Sequence, residues 1–160
     1  LKVKNFHFYT QNFKIKLIQY LLCILQNKKI VLNSLINDMK KNVIYPGTFD
    51  PVTCGHIDII KRSVSIFNKL TVAIFKNPFK NTLFSLKERV FLMRESTKHI
   101  KNVNVCCFNE LITNFAIKNK SKILVRGIRS TSDFSKERQM EFLNKKITKN
   151  NIETIFFFLL

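Results

Sequence analysis

From residue 42 onward, short apolar runs alternate with longer segments in which apolar residues recur every three or four positions. The short runs are Asn42–Tyr45, Leu70–Phe75, Val103–Phe108, Lys122–Val125 and Glu153–Leu160. They are rich in Val, Ile and Phe and read as buried strands. Between them, the segment Gly55–Asn68 sets Ile57, Ile60, Val64 and Phe67 on one helical face. Ser85 with Glu88 three residues later forms a capping box, which predicts a helix from Leu86 to about Lys98. Leu111–Asn119 predicts a short helix and Ser132–Thr148 a longer one. Strand–helix alternation of this kind predicts a parallel sheet with helices on both faces. In such sheets ligands bind beyond the carboxyl ends of the strands, where the strand order reverses. The loops after each strand are therefore the segments to search for chemistry.

Residues 1–38 have a different character. They begin with Leu, contain no Gly, Pro or Arg, and carry one acid, Asp38. Leu17–Leu25 is apolar behind Lys14 and Lys16, a layout like that of a signal peptide. No small-residue cleavage site follows, and Gln19 and Tyr20 interrupt the run. The expectation is an N-terminal extension over 1–38, with a short amphipathic helix, outside a catalytic domain over 39–160 whose natural start is Met39.

A chain of 160 residues, 46% hydrophobic, suffices for one core, and no apolar run approaches a membrane span. The formal charge of +18 makes the surface attractive to polyanions. No basic stripe interleaved with aromatic residues accompanies it, which argues against a nucleic-acid module and assigns most lysines to solvated faces. Cys23, Cys54, Cys106 and Cys107 form no C-x-x-C pair, and the histidines are scattered, which argues against a metal site. Cys106 and Cys107 read as buried thiols in a strand, which fits a reducing location, the cytoplasm or an organelle of similar chemistry.

The chemistry begins after the first strand, in Gly47-Thr-Phe-Asp-Pro-Val-Thr-Cys-Gly-His56. Gly47 allows close backbone approach, and the Thr48 hydroxyl can bond a phosphate oxygen. Gly55 and His56 fall at a helix N-terminus, where free N–H groups and the dipole favour an anion. His56 can donate to a phosphoryl oxygen as charge develops. A bare turn-and-cap would explain T-x-G-H alone; the preceding YPGTFDP at a strand end favours a phosphate site. A second candidate follows the fourth strand. Arg126 and Arg129 flank Gly127-Ile128, and paired guanidinium donors suit phosphate.

YPGTFDPVTCGHIDIIKRS resembles the signature of bacterial-type phosphopantetheine adenylyltransferases, in the T/H-x-G-H nucleotidyltransferase superfamily. RGIRSTSDF resembles that family's second motif. The resemblance covers Met39–Leu160 and implies a Rossmann-like α/β fold, a parallel five-stranded sheet with helices on both faces. It implies transfer of AMP from ATP to 4′-phosphopantetheine, with Mg²⁺ screening the triphosphate, and it implies a homohexamer. By resemblance His56, Thr48, Lys80 and Arg126 carry the catalysis. Thr48, Phe49, His56, Gly127, Arg129 and Glu137 take ATP. Thr48, Lys80, Leu111, Ile112, Asn114 and Arg126 take the acceptor. Cys54 stands where the family commonly has Asn, and Lys136 replaces its usual aromatic residue. The family continues beyond the fifth strand into a serine-rich segment and closing helices, so the resemblance also implies a C-terminal truncation at Leu160. The rival readings are another nucleotidyltransferase of the same superfamily, an inactive truncated paralogue, and a basic nucleic-acid-binding protein.

Overall fold

The structure is a computed structural model that describes residues 42–76 and 81–159. They belong to one compact unit, Met39–Leu160. The helix expected in residues 1–38, Cys23 and Lys80 lie outside the described residues.

Five strands alternate with four helices: β1 Asn42–Gly47, α1 Cys54–Ile66, β2 Lys69–Phe75, α2 Leu86–Thr97, β3 Val103–Phe108, α3 Ile112–Lys118, β4 Ile123–Ile128, α4 Thr131–Ile147 and β5 Glu153–Phe158. The strands form one parallel sheet in the order β3-β2-β1-β4-β5. The chain therefore steps from β1 out to the β3 edge, then returns to the far side of β1. Strand order reverses between β1 and β4, where a parallel sheet opens a crevice.

Alternation along each strand divides the core between two faces. Val43 and Tyr45 of β1, Leu70, Val72 and Ile74 of β2, and Ile123 and Val125 of β4 point to one face, against Ile59 and Ile60 of α1 and Met93 of α2. Ile44, Ala73 and Leu124 point to the other, against Phe115 and Ala116 of α3. The expected face of α1 is displaced by part of a turn. Ile59 and Ile60 are its fully buried apolar residues, whereas Ile57 and Val64 pack at the margin.

Two strands run further than the apolar pattern predicts. β1 continues through Pro46 and Gly47 because it stays paired with β2 to Gly47↔Ile74, although its pairing with β4 stops at Ile44↔Leu124. β4 continues through Arg126, Gly127 and Ile128, each in register with β5. The fifth strand ends at Phe158, short of the expected Leu160. The vicinal cysteines are not both buried: Cys107 is exposed and Cys106 half-buried, because β3 is an edge strand. Burial, and then Cys107, push the Cys106 thiol upward. Among the described residues no helix is long and apolar enough to cross a membrane.

Gly127 fixes the distance between α1 and β4. A Cβ there would overlap Cδ1 of Ile59, itself fully buried. Gly127→Ala is expected to destabilise the fold by about 1–3 kcal/mol, as overpacking does. Ile59→Val, which removes that Cδ1, should recover part of the loss in the double variant. Urea unfolding of the two single variants and the pair reads both effects.

Candidate active site

Beyond Ile44 and Leu124 the strands β1 and β4 separate, and the side chain of Arg126 crosses the gap. Its Nη1 donates to the Pro46 carbonyl at 2.7 Å. Its Nε donates to Oε2 of Glu137 at 2.7 Å, and Nη2 donates to Oε1 of the same carboxylate. This is a two-point fork between β4 and α4, the strongest geometry for such a pair. Pro46 is tolerated here because no β4 partner requires an N–H from it at this level of the sheet.

On one side of the gap lies a cleft of about 450 Å³, the more polar of two that meet there. Thr48, Phe49, His56, Arg126, Gly127, Arg129 and Glu137 all line it, so every nucleotide-site residue predicted from the sequence converges there. Phe49 is buried and adopts a positive φ of 50°. Its ring meets those of Tyr45 and His56 edge-on, at 5.1 and 5.0 Å between centroids. A Cβ on Gly47 would lie 2.8 Å from that ring. Gly47 is thus required for close approach rather than for a turn.

His56 is the third residue of α1, whose N-cap is Thr53. The Thr53 backbone N–H donates to Nδ1 of His56 at 3.0 Å, and Oγ1 of Thr53 lies 3.0 Å from the same nitrogen. In return the His56 N–H donates to Oγ1 at 3.4 Å. Burial, and then the Arg129 charge, lower the His56 pKa below its ordinary 6.5. Tyr45 is pushed up to about 12 by burial, with Arg126 and Arg129 opposing. Arg129 reaches into solvent and pairs with Asp133 at 3.3 Å.

On the other side of the gap lies an apolar cleft of about 490 Å³. Pro46, Gly47, Thr48, Arg126 and Glu137 form the wall common to both. The predicted Leu111 and Ile112 line it, as do Phe75 and Phe108, whose tilted rings lie 5.0 Å apart between centroids. Asn114 does not reach it. With Phe115 and Ala116 buried, the turn of α3 leaves Asn114 exposed and turns Thr113 inward. Met140, Leu143, Asn144 and Ile147 of α4 line the cleft too, and sequence reasoning passed over them. Their spacing of three, one and three was the available signal. Lys136 is exposed and lines neither cleft, and Cys54 is exposed.

Among the described residues no cluster of three His, Cys, Asp or Glu side chains could hold a metal ion. Of the carboxylates in the polar cleft, Glu137 is committed to Arg126. Asp50 accepts from the Leu83 and Phe84 N–H groups, at 2.7 and 2.9 Å. The donor set suits a cation that arrives on a polyphosphate and keeps its own waters, as Mg²⁺ does.

Two outcomes follow from these interactions. Glu137→Gln keeps the shape but ends the charged fork, and should cost about 1–2 kcal/mol in urea unfolding, between exposed and fully buried pairs. His56, with its folded pKa lowered, adds stability that is present above the unfolded value of 6.5. That stability is lost as pH falls from 6.5 through the folded pKa, because there the unfolded chain binds more protons. The urea midpoint should fall over that window, and His56→Asn should flatten the fall.

Residues 44–159 match the cytidylyltransferase-like family. The phosphopantetheine adenylyltransferase of Nautilia profundicola is 48% identical over 118 residues, 74% of this chain and 76% of that protein. Its counterpart in Helicobacter pylori strain G27 is 50% identical over 119 residues, 74% of this chain and 75% of that protein. The counterpart in Haemophilus influenzae strain PittEE is 48% identical over 116 residues, 72% and 74%. In fold the chain is similar to a lipopolysaccharide core biosynthesis protein from Thermoplasma volcanium, with a TM-score of 0.53 at 23% identity, covering 74% of this chain and 95% of that one. With both motifs gathered at one crevice and half the residues shared with such relatives, the chain belongs to the cytidylyltransferase-like family and, within it, to the phosphopantetheine adenylyltransferases.

Proposed function

We propose that this chain transfers the adenylyl group of ATP to 4′-phosphopantetheine, giving dephospho-coenzyme A and pyrophosphate in coenzyme A synthesis. The shared wall of the two clefts carries this reading. A polar cleft suited to a triphosphate and an apolar cleft suited to an extended acceptor arm meet at Thr48 and Arg126. A phosphate at the end of that arm lies next to the α-phosphate of the nucleotide.

An acceptor phosphate oxygen attacks the α-phosphorus in line while the bond to pyrophosphate breaks. No covalent enzyme intermediate is needed, and positioning with charge neutralisation supplies the catalysis. His56 donates to a phosphoryl oxygen, with Thr48 and Arg129 beside it. Arg126 exchanges the Glu137 carboxylate for the acceptor phosphate, and the ammonium of Lys80 serves the same phosphate. Phe49 and Gly127 shape the nucleotide side, while Leu111, Ile112 and Asn144 line the path of the acceptor arm. Mg²⁺ bound to the triphosphate supplies further charge neutralisation. The activity resides in residues 39–160, in the cytoplasm, and the active form is a homo-oligomer, a hexamer by the resemblance.

Pyrophosphate release from ATP, Mg²⁺ and 4′-phosphopantetheine is the direct test, with this chain and with one starting at Met39. Both should release it only when phosphopantetheine is present, and nicotinate mononucleotide or glycerol phosphate should not substitute. A folded chain that releases none refutes the reading. His56→Ala should lower kcat by about 10²–10³, the usual effect of losing one donor to the developing charge. Light scattering reads the assembly, and a monomer with full activity would refute the oligomer.

A further inference from the structure

We propose that Thr53 is a positioning residue that sets the tautomer of His56, holding Nδ1 bare and leaving the ring proton on Nε2. A capping box ordinarily places Glu or Gln at the third helical position, where an acceptor side chain returns to the N-cap N–H. Here that position is His56, and its imidazole takes the acceptor's part. A backbone N–H can only donate, so the 3.0 Å contact from the Thr53 N–H requires a lone pair on Nδ1. The Thr53 hydroxyl agrees with it. Its oxygen accepts from the His56 N–H, which leaves its own proton free to point at Nδ1, 3.0 Å away. An Nδ1–H would face the Thr53 N–H and break the box.

The neutral ring therefore carries its proton on Nε2, for which no described residue provides a partner. His56 lines the polar cleft. Phe49 holds the ring edge-on at 5.0 Å, so it is constrained by packing as well as by the cap. A hydrogen bond made by one imidazole nitrogen fixes the task of the other. The same contact opposes the imidazolium, whose second proton would have to sit on Nδ1. Burial and the Arg129 charge act in the same direction. His56 is thereby a neutral donor from the start of the reaction, aligned by the first turn of its own helix. The catalytic consequence rests on the proposed adenylyl transfer; the tautomer itself does not.

The test uses the whole chain labelled with ¹⁵N-histidine, without substrate. Two-bond ¹H–¹⁵N correlations of the imidazole rings identify which nitrogen is protonated, and the His56 signals are assigned by their loss in His56→Gln. The expected pattern at neutral pH is an unprotonated Nδ1 and a protonated Nε2. Thr53→Val keeps the backbone N–H and the branched shape but removes the hydroxyl. The N–H is then no longer held against Nδ1 by the cap, so the variant should mix the two tautomers and lower kcat roughly tenfold. KM for ATP should stay within about twofold, and Thr53→Ser should restore both readouts. A neutral His56 ring protonated at Nδ1 overturns the proposal, as does a Thr53→Val chain whose tautomer and kcat match the unsubstituted protein. The spectrum of the unsubstituted chain decides the matter even if Thr53→Val folds poorly. It also decides it if the chain releases no pyrophosphate, so the two proposals can fail separately.

Discussion

Arg89 of α2 is a buried cation, 3% exposed, whose guanidinium donates to three main-chain carbonyls: Thr48 at 2.6 Å, Phe75 at 3.2 Å and Phe84 at 3.2 Å. Taking a charge out of water costs several kcal/mol unless polar groups surround it. Here those groups come from the loop after β1, the end of β2 and the entry to α2, so burial of this one side chain is possible only when all three segments meet. Asp50 supplies the reverse contact, accepting from the N–H groups of Leu83 and Phe84. The loop after β1 is thus gripped through a carbonyl on one residue and a carboxylate two residues on. That grip sustains the left-handed backbone of Phe49, which a non-glycine residue adopts only when its surroundings hold it there.

With that loop fixed, the rest of the site follows from topology. β1 stays with β2 to its last residue but leaves β4 early, and the opening is the gap that Arg126 spans. The helix that bears His56 is anchored at both ends. Thr53 caps its start, and Arg62 near its end donates to the Phe158 carbonyl at 2.9 Å and lies 4.7 Å over the Phe157 ring. The position of His56 therefore depends on β5, far away in sequence. A site assembled this way is as rigid as the sheet edge to which it is tied, which is what positioning catalysis requires.

How much of this could be read from the sequence depended on how local each cause is. The strands and helices were legible because period-two and period-three-to-four patterns are local. Most of the polar cleft was legible because its residues cluster in two motifs, each at one strand end, whereas Glu137, within α4, was reached only through the family resemblance. Contacts that cross the sheet were not. The strand ends at Gly47 and Ile128 are set by pairing with β2 and β5, and the exposure of Cys107 by its edge position. Asn114 and Thr113 differ by one helical step of about 100°, too fine for a pattern to assign which of them faces the apolar cleft. Asn144 is polar, so no apolar pattern marks its face of the helix. It is the one buried residue of α4, because that helix covers its cleft with a narrow stripe only.

The charge of the resting site has a consequence for what it admits. The surface as a whole is strongly basic at +18, yet among the described residues the two arginines of the crevice are already paired, Arg126 with Glu137 and Arg129 with Asp133. An anion that binds either guanidinium must therefore displace a carboxylate. A singly charged phosphodiester gains little by that exchange, since it replaces one monoanion with another and loses the two-point geometry of the fork. A terminal phosphate monoester or a triphosphate carries more charge on each group and can offer two oxygens to the same guanidinium. Internal pairing thus turns a basic protein with a general attraction for polyanions into one whose crevice favours dense, terminal phosphates. It does so without leaving an unpaired arginine half-buried between β1 and β4 when the crevice is empty.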